Sequence, residues 1–149
     1  MMSIFVTKNF KRVEFACPCC NKDRPLDPKL IFLLQSLRDK IGRAVYISRG
    51  GGLRCKIYNK KIGGYVNSPH CLGKAVDIHA KNMDIITLAK EARDIGFTRV
   101  GLYPHNHFIH IDILKPRPSA SWIRDRNGIY YHFTKLEDAI GAVKCVGQY

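Results

Sequence analysis

Two imidazoles and a carboxylate are the residues of this chain whose types and spacing point most directly to chemistry. His70 and Asp77 sit in the run Ser68-Pro69-His70-Cys71-Leu72-Gly73-Lys74-Ala75-Val76-Asp77, and His110 follows about thirty residues later in His110-Ile111-Asp112. Zinc favours nitrogen and oxygen donors in tetrahedral geometry, and a catalytic zinc site uses three protein ligands. The fourth position then holds a water whose pKa falls to about 7, which makes it a nucleophile at neutral pH. Two His and one Asp leave that position open, so the trio predicts one catalytic Zn2+ ion and a hydrolytic reaction.

These residues need elements that hold them together. Ala75-Val76-Asp77-Ile78-His79 alternates like a half-buried strand, with Val76 and Ile78 on one face and Asp77 on the other. Phe108 to Leu114 is a clearer strand: Ile109, Ile111 and Ile113 mark a core face, so His110 and Asp112 share the opposite one. Gly73 and Ala75, between the first two ligands, are small enough for the backbone to bend closely around an ion.

The surrounding pattern supplies a scaffold. Asp27 as N-cap and Pro28 at the first helical position open an amphipathic helix with Leu30, Ile31, Leu33, Leu34, Leu37 and Ile41 on one stripe, ending at Gly42. Ala44 to Ser48 reads as a short strand. Gly50-Gly51-Gly52 then forms a flexible loop leading through Leu53-Arg54-Cys55 into a brief helical turn to Lys61. Asn82 is placed to cap a second amphipathic helix carrying Ile85, Ile86, Leu88, Ala89, Ala92 and Ile95, closed by Gly96. Thr98 to Tyr103 and the His110 strand make a hairpin across Pro104-His105-Asn106. Lys115 to Ser121, with Pro116 and Pro118, leaves the sheet as a loop, Ile129 to Phe133 adds an edge strand, and a last helix runs from Leu136 to about Val143. Helices mixed with hairpins predict an α+β fold, with an antiparallel sheet packed against helices.

At 149 residues the chain fits one domain over 1–149, with a core of about 10–122 and a strand-helix extension at 123–149. Nowhere do eighteen apolar residues run together, and Met1 to Arg12 lacks an apolar stretch followed by a small-residue cleavage site. The expectation is cytoplasmic synthesis without a signal peptide and no transmembrane segment. A net charge of +13 and a pI near 9.7 imply attraction to polyanions. The basic residues, from Lys8 and Lys11 through Arg93 and Arg99 to Arg117 and Arg126, are scattered, and no interleaved aromatic-basic pattern marks a single-strand binder. Nucleic acid is therefore not the expected partner. Of the six cysteines, Cys17-Pro18-Cys19-Cys20 offers half of a second zinc site, but such sites normally draw on two separated pairs. Cys55, Cys71 and Cys145 are dispersed, which favours reduced thiols, with Cys71 a bystander because adjacent residues point apart in extended chain.

With these segments in view, the chain resembles the zinc D-alanyl-D-alanine carboxypeptidase family of peptidoglycan peptidases. That family includes phage and bacterial L-alanyl-D-glutamate endopeptidases and shares its fold with the hedgehog signalling domain. The similarity runs from about Phe10 to Trp122. It includes Phe15-Ala16-Cys17 before the Asp27-Pro28 helix, Gly52-Leu53-Arg54-Cys55 with Tyr58-Asn59, the Ser68 to Asp77 run, Gly101-Leu102-Tyr103-Pro104, and Phe108 to Asp112.

The resemblance implies that His70, Asp77 and His110 are the zinc ligands. It implies that Arg54 binds a substrate carboxylate or polarises the scissile carbonyl, a task its planar, permanently charged fork suits. Ser68 then hydrogen-bonds substrate near the site or shapes the turn beside Pro69. Two features depart from the pattern. The loop Ser48-Arg49-Gly50-Gly51 is longer than the short link usual before Arg54, and His107 stands where several relatives carry an acid three residues before the last ligand. The proton acceptor is then either Asp112, about 7 Å along the strand from His110, or His107, with its ordinary pKa near 6.5. Asp112 has a competing role, holding a ligand imidazole in place. The expected function is zinc-dependent hydrolysis of peptidoglycan stem peptides, of carboxypeptidase or endopeptidase type, by a monomer. It would reach the anionic cell wall as a phage or prophage endolysin released through a membrane lesion, or as part of a phage particle. The alternative is a non-catalytic, zinc-containing binding or phage structural module of the same fold.

Overall fold

The computed structural model describes residues 3–22, 24–116 and 119–146. Arg117 and Pro118, singled out above, lie outside the described residues, as does the start of the Met1 to Arg12 segment. In chain order the elements are α1 (Pro28–Ile41), β1 (Val45–Ile47), α2 (Lys56–Lys61), β2 (Ala75–Ala80), α3 (Ile85–Ile95), β3 (Arg99–Tyr103), β4 (Phe108–Asp112), β5 (Ser121–Arg124), β6 (Tyr130–Phe133) and α4 (Leu136–Val146). Short 3-10 turns at Arg12–Phe15, Pro69–Leu72 and Pro104–Asn106 connect them.

Helix α1 begins and ends where its caps dictate. The Asp27 carboxylate accepts from the Lys29 amide at 2.9 Å, Pro28 follows, and Gly42 closes the helix in left-handed backbone at φ 62°. Its Leu30, Leu33, Leu34 and Leu37 are buried, each contributing about 1.5–3 kcal/mol of hydrophobic stabilisation. For α3 the cap is Asp84 and not Asn82. Asp84 is extended and its carboxylate takes the Thr87 amide at 2.9 Å, whereas Asn82 turns the chain out of β2 at φ 53°. Asp84 stands directly before the first apolar position, which is where an N-cap belongs.

The six strands form one sheet in the order β1-β2-β4-β3-β5-β6. The β3–β4 hairpin is present, and every pairing is antiparallel except β3 with β5, which run parallel. Strand β5 begins at Ser121, the last residue of the stretch read from sequence as loop, and covers Trp122–Arg124, to which no element was assigned because the segment is only four residues long. One face of the sheet, with Val76, Ile78, Val100, Leu102, Ile109, Ile111 and Ile123, packs into a core shared with α1, α3 and α4. The opposite face is set by the register. Asp77 pairs with His110, His110 with Gly101, Gly101 with Trp122, and Trp122 with His132, so these five residues form one row across five strands.

Candidate metal centre and its cleft

Three donor atoms converge at the β2–β4 end of that row. His70 Nε2 lies 3.1 Å from His110 Nδ1 and 3.2 Å from Asp77 Oδ1, and His110 Nδ1 lies 2.9 Å from Asp77 Oδ1. All three residues are buried. Their partners fix which atoms face inward. His70 Nδ1 is 2.9 Å from the Gly52 carbonyl, and a carbonyl only accepts, so this nitrogen carries the proton and Nε2 presents its lone pair. His110 Nε2 donates to Asp112 Oδ2 at 2.7 Å, which leaves Nδ1 as the inward acceptor. With both rings neutral, two imidazole lone pairs and a carboxylate oxygen face one another, an arrangement that calls for a cation among them, either a metal ion or a proton on one ring. Tetrahedral zinc with donors at about 2.0–2.1 Å would separate them by about 3.3 Å, so the donor set and its spacing fit such an ion.

The electrostatics agree. Burial drives Asp77 toward the neutral acid, but the two imidazoles outweigh it and hold the carboxyl well below the usual carboxylate range. Burial pushes the His70 pKa down, beyond what Asp77 restores. Burial also opposes a charged His110, yet the Asp112 and Asp77 carboxylates raise its pKa to about 9. The metal-free centre thus holds a proton on His110 where a metal ion would sit.

Arg54 belongs to the same cluster. Its Nη2 donates to Asp77 Oδ2 at 2.8 Å and its Nε to the Gly50 carbonyl at 2.7 Å, so it braces the Asp77 carboxylate while bordering the cleft. The loop before it, expected to be flexible, is buried and tightly folded. Gly51 lies so close to Asp77 that a Cβ there would come within 2.7 Å of the Asp77 Cβ, and its carbonyl accepts the Asp77 amide at 2.8 Å. Ser68 caps the Pro69–Leu72 turn by accepting the His70 amide at 3.3 Å, and it also lines the cleft.

Of the two expected proton acceptors, neither faces the converged donors. Asp112 is fully buried behind the His110 ring, where Oδ2 accepts from His110 and from Arg99 Nε at 3.0 Å and Oδ1 accepts the Leu114 amide at 3.0 Å. A residue two along on a strand does share the face of His110, but here its carboxylate meets the ring's outer nitrogen. His107 is exposed, in left-handed backbone at φ 55° at the end of the β3–β4 turn, and is not among the residues lining the cleft.

The cleft itself, about 630 Å³, runs from the donor triangle along the row toward β6. Its walls include residues to which the sequence assigned no role in the site: Arg99, Tyr103, Trp122, Tyr130 and His132. Trp122 lies across Gly101, where a Cβ would come within 2.3 Å of the indole, and its ring centre is 5.1 Å from that of His110. The Arg99 guanidinium stands 5.2 Å from the Trp122 ring centre. The indole N–H donates to the Tyr103 hydroxyl at 3.3 Å, and burial keeps that phenol protonated. His132 bonds Ser119 Oγ at 3.2 Å. The period of two in Tyr130-Tyr131-His132-Phe133 carried the signal for Tyr130 and His132, once the edge strand was paired to the sheet.

Fold, donor spacing and cleft together define a domain with a candidate metal centre at one end of an open groove. The Peptidase M15 family matches residues 8–112, and the chain belongs to that family. It is similar to the zinc D-Ala-D-Ala carboxypeptidase of Streptomyces albus G, with 36% identity over 81 residues, covering 52% of this chain and 31% of that protein. It is also similar to the peptidoglycan L,D-endopeptidase MepK of Escherichia coli strain K12, with 29% identity over 107 residues, covering 68% of this chain and 57% of that protein. The protein of that name from Shigella flexneri matches to the same extent. The chain thus spans less than two thirds of the length of these curated relatives. No helix of the described residues is long and apolar enough to cross a membrane.

Proposed function

We propose that this chain is a zinc-dependent peptidase that hydrolyses peptide bonds in the stem peptides of bacterial peptidoglycan. The observation that carries the reading is the set of three inward-facing acceptors on His70, Asp77 and His110, which a divalent cation would join. The relatives named as zinc carboxypeptidase and peptidoglycan endopeptidase support the choice of ion and substrate.

Zinc held there would supply an activated water and polarise the scissile carbonyl. The protein's own residues do the rest. The Gly52 carbonyl and Asp112 hold the two imidazoles in the tautomers that bind metal, so Asp112 is a positioning residue in this reading and not the base. Arg54 holds Asp77 Oδ2 and so leaves Oδ1 turned inward, and it borders the cleft where an anionic peptide would lie. The neutral Tyr103 hydroxyl is a donor for a substrate carbonyl. Tyr130 and His132 on β6 line the far wall, where the remainder of the stem peptide would extend. His107, off the cleft, is left out of the reaction. The charge of +13 suits attraction to the anionic envelope, as for a monomeric phage or prophage lysis enzyme, and activity should then fall as salt rises.

One observation favours the second reading, a zinc-containing binding module: among the described residues, Asp77 is the only carboxylate lining the cleft. Incubating the purified protein with peptidoglycan and with defined stem peptides, with and without a chelator, separates the two. Release of amino groups that stops on chelation and returns with zinc supports the peptidase, and the product masses identify the bond. Binding without release in every condition overturns it.

A further inference from the structure

A second group of metal-binding side chains lies outside the cleft. Cys17, Cys20 and Cys55 bring their sulfurs within 4.8 Å of one another, with Cys17 buried and the other two half-buried. Tetrahedral zinc with thiolates at about 2.3 Å separates its sulfurs by about 3.8 Å, so small side-chain adjustments bring these three into one shell. Cys17 and Cys20 have the C-x2-C spacing of a zinc knuckle, and the turn they make is closed by the Asn21 amide donating to the Cys17 carbonyl at 2.9 Å, with Asn21 in left-handed backbone at φ 49°. The separated partner is Cys55, 38 positions on.

The surroundings are those of acceptor sulfurs. The Cys55 amide donates to Cys17 Sγ and the Tyr58 amide to Cys55 Sγ, both at 3.3 Å. Burial opposes ionisation of Cys17, but the amides of Cys55, Cys20 and Cys19 outweigh it and bring its pKa to about 7. A disulfide would use two of the three sulfurs and leave the third beside it, whereas a soft divalent ion uses all of them.

We propose that Cys17, Cys20 and Cys55 bind a second, structural zinc ion, with the fourth position taken by water. The site has a task in the fold. It ties the Phe15–Cys20 segment to Gly52–Cys55, which are already joined by the Leu53 amide donating to the Phe15 carbonyl at 2.7 Å. Gly52 and Arg54 are the residues that orient His70 and Asp77, so an ion on Cys55 anchors the support of the catalytic centre from outside the cleft.

The proposal is independent of the peptidase reading, and its test avoids activity. The full chain carrying His70→Ala and His110→Ala is purified without chelators, its zinc is measured by mass spectrometry, and cobalt is exchanged in. About one zinc per chain, a thiolate-to-cobalt charge-transfer band and release of the zinc on thiol modification by a mercurial support it. Adding Cys55→Ser should abolish the band. A folded His variant with no zinc and no band overturns the proposal, as does wild-type, zinc-loaded protein in which Cys17, Cys20 and Cys55 react with a thiol reagent as fast as the exposed Cys19 and Cys145.

Discussion

Replacing Asp112 by Asn separates orientation from proton transfer at this centre. Three donors face the carboxylate: His110 Nε2–H at 2.7 Å and Arg99 Nε–H at 3.0 Å on Oδ2, and the Leu114 amide at 3.0 Å on Oδ1. An amide offers one oxygen and one NH2. With the oxygen toward His110 and Arg99, the NH2 meets the Leu114 N–H, and the flipped amide opposes two donors. At least one buried donor is left unpaired, at about 1–3 kcal/mol of stability. The His110 ring also loses the charge that fixes its tautomer, and such partners are worth about 10- to 100-fold in metal affinity. The variant should therefore show a lower Tm and a zinc Kd raised about 10- to 100-fold in competition with a chromophoric chelator, while activity at saturating zinc falls by a similar or smaller factor. Removing a general base would instead cost about 100- to 10,000-fold in kcat. Unchanged zinc affinity with a kcat loss near the upper end of that range would refute the assignment and return Asp112 to the role of base.

Because the Asp112 and Asp77 carboxylates raise the His110 pKa to about 9 against the effect of burial while burial lowers that of His70, the metal-free centre near pH 6 carries its proton on His110. Zinc binding at about pH 6 should release about one proton per ion, measured by calorimetry in buffers of different ionisation enthalpy, and release near zero would contradict a proton held on His110 in the metal-free centre. Gly101→Ala places a methyl 2.3 Å from the rigid indole of Trp122, so the ring must move off His110, with a stability loss of about 1–3 kcal/mol and a changed emission from the chain's single tryptophan. Asp27→Ala removes the α1 cap and the 2.8 Å pair with Lys74, for about 1 kcal/mol by urea unfolding at neutral pH. Since Lys74 and the Lys29 amide lower the Asp27 pKa, that contribution is present above the unfolded carboxyl value of about 3.9 and fades as pH falls through the folded one, so wild type and variant should converge in acid.

The convergence of His70, Asp77 and His110 was legible because a metal site would impose those residue types, and strand alternation already put Asp77 and His110 on the faces where they meet. Helix α1 was legible because its cap, proline, leucine stripe and terminal glycine agree with one another. What lay hidden was set by pairing between distant segments. The parallel partnership of β3 with β5 creates the row that carries Trp122 and His132, and nothing local to Ser121–Arg124 announces it. The role of Asp112 depended on which nitrogen of His110 faces it, a matter of ring orientation that residue spacing does not determine. The glycine loop 50–52 read as flexible because composition reports freedom in the unfolded chain, whereas close approach to Asp77 is what requires a small residue there. The cysteines appeared dispersed because Cys55 joins Cys17 only after the Gly52–Arg54 segment packs on Phe15.

Anomalous diffraction at the zinc edge, from crystals grown with zinc and no chelator, shows whether His70, Asp77 and His110 share one ion. The expected result is a peak about 2.0–2.2 Å from His70 Nε2, Asp77 Oδ1 and His110 Nδ1, with a fourth position open to the cleft. Density showing those three atoms in mutual contact with no ion among them, or an ion bound through the opposite nitrogens of the two imidazoles, would contradict it.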